Sequence, residues 1–370
     1  MSPRPLSAVV LAAGEGVRMR STRPKPLHLL CGRAMLLYVL DALSDCEMGR
    51  AVVVVGHGAE RVTKKLQEEA PDLHLDFVEQ HAQRGTGDAA SVGLTVFGDD
   101  ELADDDSDVL VLPGDTPMLR PATVAALVEA HRDSGAACTL LSARLADPTG
   151  YGRVIRGADD QVLRVVEDGD ASNDEREIDE INTSIYCFRR SLLAPALRRL
   201  SPENAQGEYY LTDVVGVLHD AGYRVEAMVA ADPTETEGVN DRVQLARAEA
   251  ELRRRTNERW LRLGVTMLDP ERTYIDATVE LAPDVALFPG TMLQGRCVIG
   301  AGAEVGPDTR LVDCVVGAGA TVTKAVGRDA EVGEHAVVGP FAVLEPGSQV
   351  PASSRTGPFY TATTTEDTSA

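Results

Sequence analysis

Hydrophobic positions follow two different patterns along this chain, one before residue 255 and one from residue 275. In the first, short apolar and β-branched runs alternate with amphipathic stretches, which is typical of an α/β domain with a mainly parallel sheet. The predicted strands are residues 8–11, 51–55, 75–78, 109–112, 138–145, 183–188 and 225–229. The predicted helices include residues 34–43, 59–69, 121–132 and 211–221, with a hairpin within 150–168 and a long charged helix at about 241–263.

From Ile275 onward, aliphatic residues recur every six positions. They stand at 275, 281, 287, 293, 299, 305 and 311 and, after a one-residue slip, at 326, 332, 338, 344 and 350. Such a hexapeptide repeat predicts a parallel β-helix, in which the aliphatic side chains stack inside and glycines occupy the corners. The segment is long enough for about four coils of three hexapeptides each. Residues 351–370 are polar and rich in Ser and Thr, which predicts a frayed tail.

The amino-acid composition is typical of a folded two-domain protein and argues against several classes of function. A length of 370 residues with 44% hydrophobic content favours two folded domains. The net charge of −22 argues against a nucleic-acid or membrane-surface partner, because both need basic patches. The six cysteines are scattered without metal-ligand spacing, which is typical of reduced thiols in a cytoplasmic protein. No signal peptide is evident, and no apolar stretch approaches the ~18 residues of a membrane helix.

The strand at 8–11 runs into a loop that contains two glycines. Leu11, Ala12, Ala13 and Gly14 begin this loop, and backbone N–H groups there can approach phosphates because glycine has no Cβ. The cations Arg18 and Lys25 follow shortly afterward, where they can meet a triphosphate. The glycine spacing fits neither the P-loop nor the dinucleotide-binding motif. The sequence therefore predicts a phosphate site of another kind.

Gly114 and Asp115 end another buried strand, at the edge where open α/β sheets bind their ligands. A carboxylate at that point suits Mg²⁺, which takes one or two protein ligands and fills its shell with phosphate oxygens and water. Asp115 could equally cap the helix that follows Thr116 and Pro117. The residues alone leave both interpretations open.

The order of motifs resembles the bifunctional N-acetylglucosamine-1-phosphate uridyltransferase/glucosamine-1-phosphate acetyltransferase family. The matching strings are residues 11–19, 24–28, 56–58, 83–87, 114–117, 147–153, 180–183, 204–213 and 237–242. The resemblance implies a Rossmann-like nucleotide-diphospho-sugar transferase domain followed by a left-handed parallel β-helix. The implied divisions are 1–240 for the transferase domain, 241–264 for a connecting helix, 265–350 for the β-helix and 351–370 for the tail.

By this resemblance the enzyme joins UTP to an amino-sugar 1-phosphate, N-acetylglucosamine 1-phosphate, in the presence of Mg²⁺. Arg18 and Lys25 would be catalytic, and Asp115 and Asn240 would hold the metal. Gln80, Gly85 and Thr86 match the positions that contact the uracil, while Gly152, Glu167 and Asn182 match those that contact the sugar. The full set of implied substrate-binding residues is Leu11, Ala12, Ala13, Gly14, Lys25, Gln80, Gly85, Thr86, Gly114, Asp115, Gly152, Glu167, Asn182 and Asn240.

The second domain departs from the family. Glu345 stands where the family has a basic residue for a phosphate, and the later acetyltransferase motifs are missing from this sequence. We therefore expect a truncated acetyltransferase domain without acetyl-transfer activity. The β-helix would serve instead in a homo-oligomer, for which the resemblance suggests a trimer.

Two other functions remain open at this point. One is nucleotidyl transfer to another hexose 1-phosphate or from another base, such as thymidylyl or guanylyl transfer. The other is a non-catalytic regulatory paralogue. The presence of Arg18, Lys25, Asp115 and Asn240 argues against the second, because a decayed site seldom keeps every charged member.

Overall fold

The computed structural model describes residues 4–71, 73–98, 101 and 107–363. The chain divides into two compact units. The first comprises the residues up to His28 together with Ala34–Gln244, and the second comprises Leu29–Arg33 and the residues from Leu245 onward. Among the described residues, none of the helices has the length and hydropathy that spanning a bilayer requires.

A nine-stranded sheet forms the centre of the first unit. Its strands are β1 (Leu6–Ala12), β4 (Met48–Val55), β5 (Leu75–Glu79), β6 (Asp108–Pro113), β7 (Cys138–Arg144), β8 (Arg153–Arg156), β9 (Val162–Val166), β10 (Glu180–Arg189) and β11 (Val225–Val229). Two short strands, β2 (Leu29–Leu30) and β3 (Arg33–Ala34), form a separate two-stranded sheet. The sheet order is β11-β7-β10-β6-β1-β4-β5, and β8 and β9 form a hairpin beside β10. β1 pairs in parallel with both β4 and β6, whereas β10 runs antiparallel to β6 and β7.

Helices cover both faces of this sheet. In the first unit they are α1 (Met35–Asp41), α2 (Ala59–Glu69), α3 (Thr86–Leu94), α4 (Pro121–Ser134), α5 (Asn173–Arg176), α6 (Arg190–Leu197) and α7 (Asp213–Asp220), with single 3₁₀ turns at Val17–Met19, Lys25–Leu27 and Pro233–Thr236. The next helix, α8 (Arg242–Arg262), belongs to the second unit from Leu245 onward, as does a 3₁₀ turn at Pro270–Arg272. Alternate residues of β1 enter different hydrophobic clusters, Val10 on one face and Val9 on the other. Burial on both faces explains the uninterrupted apolar runs of the strands.

The predicted α/β fold class is confirmed, and three helices, α3, α5 and α6, were not predicted. α3 begins at Thr86 and contains Gly87 and Gly93, so its sequence has little helical periodicity. Gly93 is required by packing, since a Cβ there would lie 2.4 Å from Val9 Cγ1. α6 contains Pro195 inside the helix, which is unfavourable for helix formation and hides the element in the sequence.

The second unit is a parallel β-helix. Its strands are β12 (Thr266–Met267), β13 (Tyr274–Ile275), β14 (Glu280–Leu281), β15 (Ala286–Leu287), β16 (Met292–Gln294), β17 (Val298–Ile299), β18 (Glu304–Val305), β19 (Arg310–Val312), β20 (Val315–Val316), β21 (Thr321–Val322), β22 (Val326–Arg328), β23 (Glu331–Val332), β24 (Val337–Val338), β25 (Val343–Leu344), β26 (Gln349–Val350) and β27 (Thr361–Ala362). They stack into three sheets of five, six and five strands. The described residues therefore form five complete coils, one more than the repeat predicts.

The β-helix also extends beyond Val350. Thr361 and Ala362 pair in parallel with Val343 and Leu344, and Ala362 is buried in the same core. The strand pairing thus reaches past the boundary at residue 350 that the hydrophobic repeat predicts. The repeat is hidden there because Ala362 is the single small apolar residue that enters the core from this strand.

The inward register differs from the prediction in one coil. Val326 is 55% exposed, and Gly327 occupies the interior position between Leu311 and Leu344. A Cβ at Gly327 would lie 3.1 Å from Leu311 Cδ2 and 3.3 Å from Leu344 Cβ. The two leucines fill the space that a larger residue at 327 would need. The expectation that Val326 points inward is therefore wrong.

This register predicts that two truncations differ strongly in their effect on stability. Leu311→Ala opens a cavity between coils and should lower the free energy of unfolding by about 2–5 kcal/mol. Val326→Ala should change it by less than about 0.5 kcal/mol, because the side chain is exposed. Trp260 is the only tryptophan and is buried in the β-helix core, so its fluorescence during urea denaturation reports on this unit. A Val326→Ala variant as unstable as Leu311→Ala would contradict the register.

Candidate functional site

A cavity of about 510 Å³ opens at the carboxyl ends of β1 and β6. Adjacent parallel strands end at the same edge of the sheet, and loops leaving it in different directions form a crevice there. The lining includes every predicted substrate-binding residue, namely Leu11, Ala12, Ala13, Gly14, Lys25, Gln80, Gly85, Thr86, Gly114, Asp115, Gly152, Glu167, Asn182 and Asn240. Arg18 is not part of the lining, but it contacts Asn240 from outside.

The glycine loop after β1 uses its two glycines differently. A Cβ on Gly14 would meet nothing within 4 Å, so this position leaves open space beside the cavity. Gly16 has a φ of +65°, and a Cβ there would lie 2.8 Å from Lys25 Cβ. Gly16 therefore permits the close approach of the segment that carries Lys25, while Gly14 leaves room for a ligand.

Lys25 lies at the centre of a polar cluster to which three segments of the chain contribute, namely those that carry Arg18 and Lys25, Asp115, and Asn240. Its ammonium contacts the Asp115 carboxylate and donates to Asn240 Oδ1 at 2.9 Å. Arg18 Nη2 donates to the same oxygen at 3.0 Å. Lys25 is mostly buried, with 13% of its side chain exposed. Two cations and two oxygen-bearing side chains thus meet at the edge of the cavity.

The capping alternative for Asp115 is wrong. The next helix, α4, begins only at Pro121 and has Arg120 as its N-cap residue. Likewise, Asn240 does not cap α8, because Asp241 Oδ1 accepts the N–H groups of Val243 and Gln244 at 2.8 Å each. Both side chains are therefore left to face the polar cluster.

The donor chemistry of Asp115 and Asn240 fits a hard divalent cation. One supplies a carboxylate and the other an amide carbonyl, and such oxygens are the ligands that Mg²⁺ prefers. The backbone N–H of Val239 donates to the Asp115 carbonyl at 2.8 Å, which holds the two loops together. Among the described residues no group of three or more His, Cys, Asp or Glu could hold a metal. A metal here would consequently depend on phosphate and water oxygens for most of its shell.

At another part of the cavity, Gly85 and Thr86 are fixed by packing. Gly85 has a φ of +107°, and a Cβ there would lie 2.6 Å from the carbonyl oxygen of Tyr209. Thr86 Oγ1 accepts the N–H of Leu211 at 3.0 Å. Both residues hold the segment 208–211 against the start of α3, whatever they contact in a ligand.

This segment carries Glu208 and Tyr210 into the cavity wall. Tyr209 does not line the cavity, and its backbone exchanges hydrogen bonds of 2.8 Å with Arg84 and Gly87. Burial raises the pKa of Tyr210 to about 12, so its phenol stays protonated at neutral pH. The two adjacent tyrosines therefore differ, since one belongs to the site and the other contributes its backbone to the packing.

The far wall is formed around Asn182. Asn182 is 4% exposed, its backbone N–H donates to Gly152 at 2.8 Å, and no described residue bonds to its Oδ1. A shift in strand register follows Asn182 in β10, and such irregularities re-aim side chains near binding sites. A buried oxygen of this kind can still accept a hydrogen bond, from water or from a ligand donor.

Glu167 lies beside Gly152 and accepts a hydrogen bond from Thr212 Oγ1 at 3.0 Å. Burial raises the pKa of its carboxyl group, because desolvation disfavours the charged form. Burial also raises the pKa of neighbouring Asp213, with a further contribution from Asp170. The wall near Glu167 is therefore acidic and favours a ligand with hydroxyl or amide donors.

The lining also contains residues that were not predicted from the sequence, and two of these hold predicted ones in place. Gln83 Nε2 donates to the Ala13 carbonyl at 2.9 Å, and Thr212 supports Glu167. Both belong to strings that match the family, so position within those strings was the available signal. His57, an exposed residue between two glycines, does not line the cavity.

Comparison with known proteins identifies the family. A model described as a MobA-like NTP transferase domain matches residues 8–215. The bifunctional protein GlmU of Streptomyces avermitilis is 46% identical over 357 residues, which cover 96% of this chain and 73% of that protein. The GlmU protein of Thermobifida fusca is 48% identical over 330 residues, covering 89% and 68% respectively. The chain belongs to the GlmU family.

Membership in the GlmU family means that the chain is a nucleotidyltransferase. Transferases of this kind act on a nucleoside triphosphate and a sugar phosphate and generally use a divalent metal. The polar cluster of Arg18, Lys25, Asp115 and Asn240 lies within or next to the matched domain's cavity.

The raised pKa of Glu167 predicts a pH-dependent cost to stability. An acid whose folded pKa lies above its unfolded value of about 4.3 loses stability as pH rises through the folded pKa. Glu167→Gln stays neutral and can still accept from Thr212, so it should raise the melting temperature at pH 8. The gain should shrink toward zero near pH 4. Melting curves followed by circular dichroism, with exposed Glu129→Gln as the control, measure this. An equal gain at both pH values would contradict the burial argument.

Proposed function

We propose that this enzyme is a Mg²⁺-dependent uridylyltransferase that converts UTP and N-acetylglucosamine 1-phosphate to UDP-N-acetylglucosamine and pyrophosphate. The observation that carries the proposal is the cluster of Lys25, Arg18, Asp115 and Asn240 beside a glycine loop. Two anionic substrates can meet only where positive charge offsets their repulsion. In a chain with a net charge of −22, this cluster supplies that charge locally.

The chemistry requires positioning rather than a general base. A sugar 1-phosphate has a second pKa near ~6 and is largely a dianion at neutral pH. One of its oxygens forms a bond to the α-phosphorus of UTP, and the bond from that phosphorus to the bridging oxygen breaks to release pyrophosphate. Alignment of the two reactants and compensation of charge are then the main tasks of the protein.

Lys25 and Arg18 perform the charge compensation in this proposal. Lys25 Nζ lies within hydrogen-bond distance of both Asp115 and Asn240, and Arg18 adds a second positive charge on Asn240. Asp115 and Asn240 would hold the Mg²⁺, and the bound ion would neutralise part of the triphosphate charge. The backbone from Leu11 to Gly14 forms the adjoining wall of the cavity.

The opposite wall supports an N-acetylated sugar as the acceptor. Asn182 offers a buried oxygen without a partner among the described residues, and Glu167 offers a carboxylate held by Thr212. Hydroxyl and acetamido N–H groups are donors that such oxygens would accept. Gly152 packs closely against this wall, where a Cβ would lie 3.1 Å from Val165 Cγ1 and 3.5 Å from Glu167 Oε2. The UDP-sugar would supply cell-wall precursors.

For the second unit, we propose a role in assembly without acetyl transfer. Glu345 is exposed at the end of β25 and presents a carboxylate where the family resemblance calls for a phosphate-binding cation. The family resemblance implies that such β-helices associate side by side, which supports a homo-oligomer. All six cysteines are free thiols, which supports a reducing cytoplasmic location.

A substrate panel tests this assignment. Pyrophosphate release is measured from UTP, dTTP, GTP and CTP with several sugar 1-phosphates, with Mg²⁺ or with a chelator. We expect the highest kcat/KM for UTP with N-acetylglucosamine 1-phosphate, and no release with the chelator. Acetyl-CoA with glucosamine 1-phosphate should release no thiol. A better rate with another pair would overturn the specificity, and no release with any pair would overturn catalysis.

Lys25→Ala should lower kcat by about 100- to 1,000-fold, the range seen when one donor to a developing charge is removed. The fold should survive, because Asp115 keeps 24% exposure and can be solvated. Lys64→Ala, on the exposed surface of α2, is the matched control and should leave kcat unchanged. Single-turnover pyrophosphate release makes the comparison, and a Lys25→Ala rate near the control's would refute the catalytic assignment.

A further inference from the structure

Asp88 lies in the first turn of α3, directly after the Gly85-Thr86-Gly87 string. Its Oδ2 accepts a hydrogen bond from Gln80 Nε2 at 2.8 Å, and the Gly85 carbonyl accepts a second, longer one from the same nitrogen at 3.4 Å. Gln80 is only 5% exposed and lines the cavity.

These contacts determine which way the Gln80 amide faces. An ionised carboxylate and a backbone carbonyl can only accept hydrogen bonds, so both need the NH₂ end of the amide. The reversed amide would set Oε1 against two acceptors at once. Gln80 therefore keeps Nε2 on Asp88, and no described residue donates to its Oε1.

We propose that Asp88 is a positioning residue for nucleobase selection, because it fixes the Gln80 carbonyl as an acceptor toward the base. This inference rests on the proposed uridylyl transfer. Uracil carries an N–H donor at N3, which an acceptor oxygen can meet. Cytosine has a bare acceptor nitrogen at the same position, so Gln80 Oε1 would repel it. If the amide were free to reverse, its NH₂ group would suit cytosine equally well.

Asp88→Asn tests this with almost no change in shape. The asparagine can accept from Gln80 Nε2 or donate to Gln80 Oε1, so the reversed Gln80 amide is opposed only by the more distant Gly85 carbonyl and becomes available. We expect the ratio of kcat/KM for UTP over CTP to fall about tenfold. The KM for UTP should rise, while kcat at saturating UTP and the KM for the sugar phosphate stay within about twofold.

Two comparisons separate this role from a structural one. In a Gln80→Ala background, Asp88→Asn should not change the UTP-to-CTP ratio further, because the group that it orients is gone. Glu60→Ala removes the corresponding first-turn acid of α2, a residue that does not line the cavity, and should leave the ratio unchanged. Melting temperatures of all variants check that the fold is retained.

The possible outcomes separate the role of Asp88 from the proposed uridylyl transfer. A wild-type enzyme that does not release pyrophosphate from UTP would overturn the proposed function. An active wild-type enzyme whose Asp88→Asn variant keeps its UTP-to-CTP ratio would overturn only the role of Asp88. An equal loss in the Gln80→Ala background would also overturn it, because Asp88 would then act without Gln80.

Discussion

The contact of one ammonium group with two oxygen-bearing side chains organises the site. Lys25 lies between Asp115, which follows β6, and Asn240, which precedes α8, so three distant parts of the chain meet at its Nζ. Its position depends on Gly16, whose backbone passes too close to Lys25 Cβ for any other side chain. A strongly acidic protein can hold two anionic substrates only if such charges are brought together at one place.

A second buried charged group of the same sheet, Asp108, has a structural role. Asp108 begins β6 at the end opposite the cavity and contacts both His131 and Arg132. His131 also bonds to Thr139, so an Asp-His-Thr arrangement exists there with no exposure of Asp108 or His131. Hydrogen bonds from these partners lower the pKa of Asp108 against the effect of burial. This network holds β6 in the sheet and has no opening to a ligand.

The two walls of the cavity are held in different ways. Near Gly85, backbone hydrogen bonds fix the segment 208–211, and any Cβ at Gly85 would collide with Tyr209. Near Asn182, which lines the cavity, a shift in strand register follows a buried amide oxygen that has no partner among the described residues. The backbone polar groups near Gly85 therefore have partners within the protein, whereas the Asn182 amide oxygen has none among the described residues.

The sequence by itself determined the α/β class and the hexapeptide repeat, because hydrophobic periodicity is encoded locally. The predicted cavity residues came largely from the resemblance to a family, and the lining contains others, such as Gln83 and Thr212, that were not predicted. The sequence could not decide whether Asp115 capped a helix, nor that Gly327 rather than Val326 faces the β-helix core. It also gave no sign that Asp88 orients Gln80. These three features depend on contacts between residues that are not neighbours in a local sequence pattern. Arg120 takes the N-cap position of α4, and Leu311 and Leu344 fill the space around Gly327.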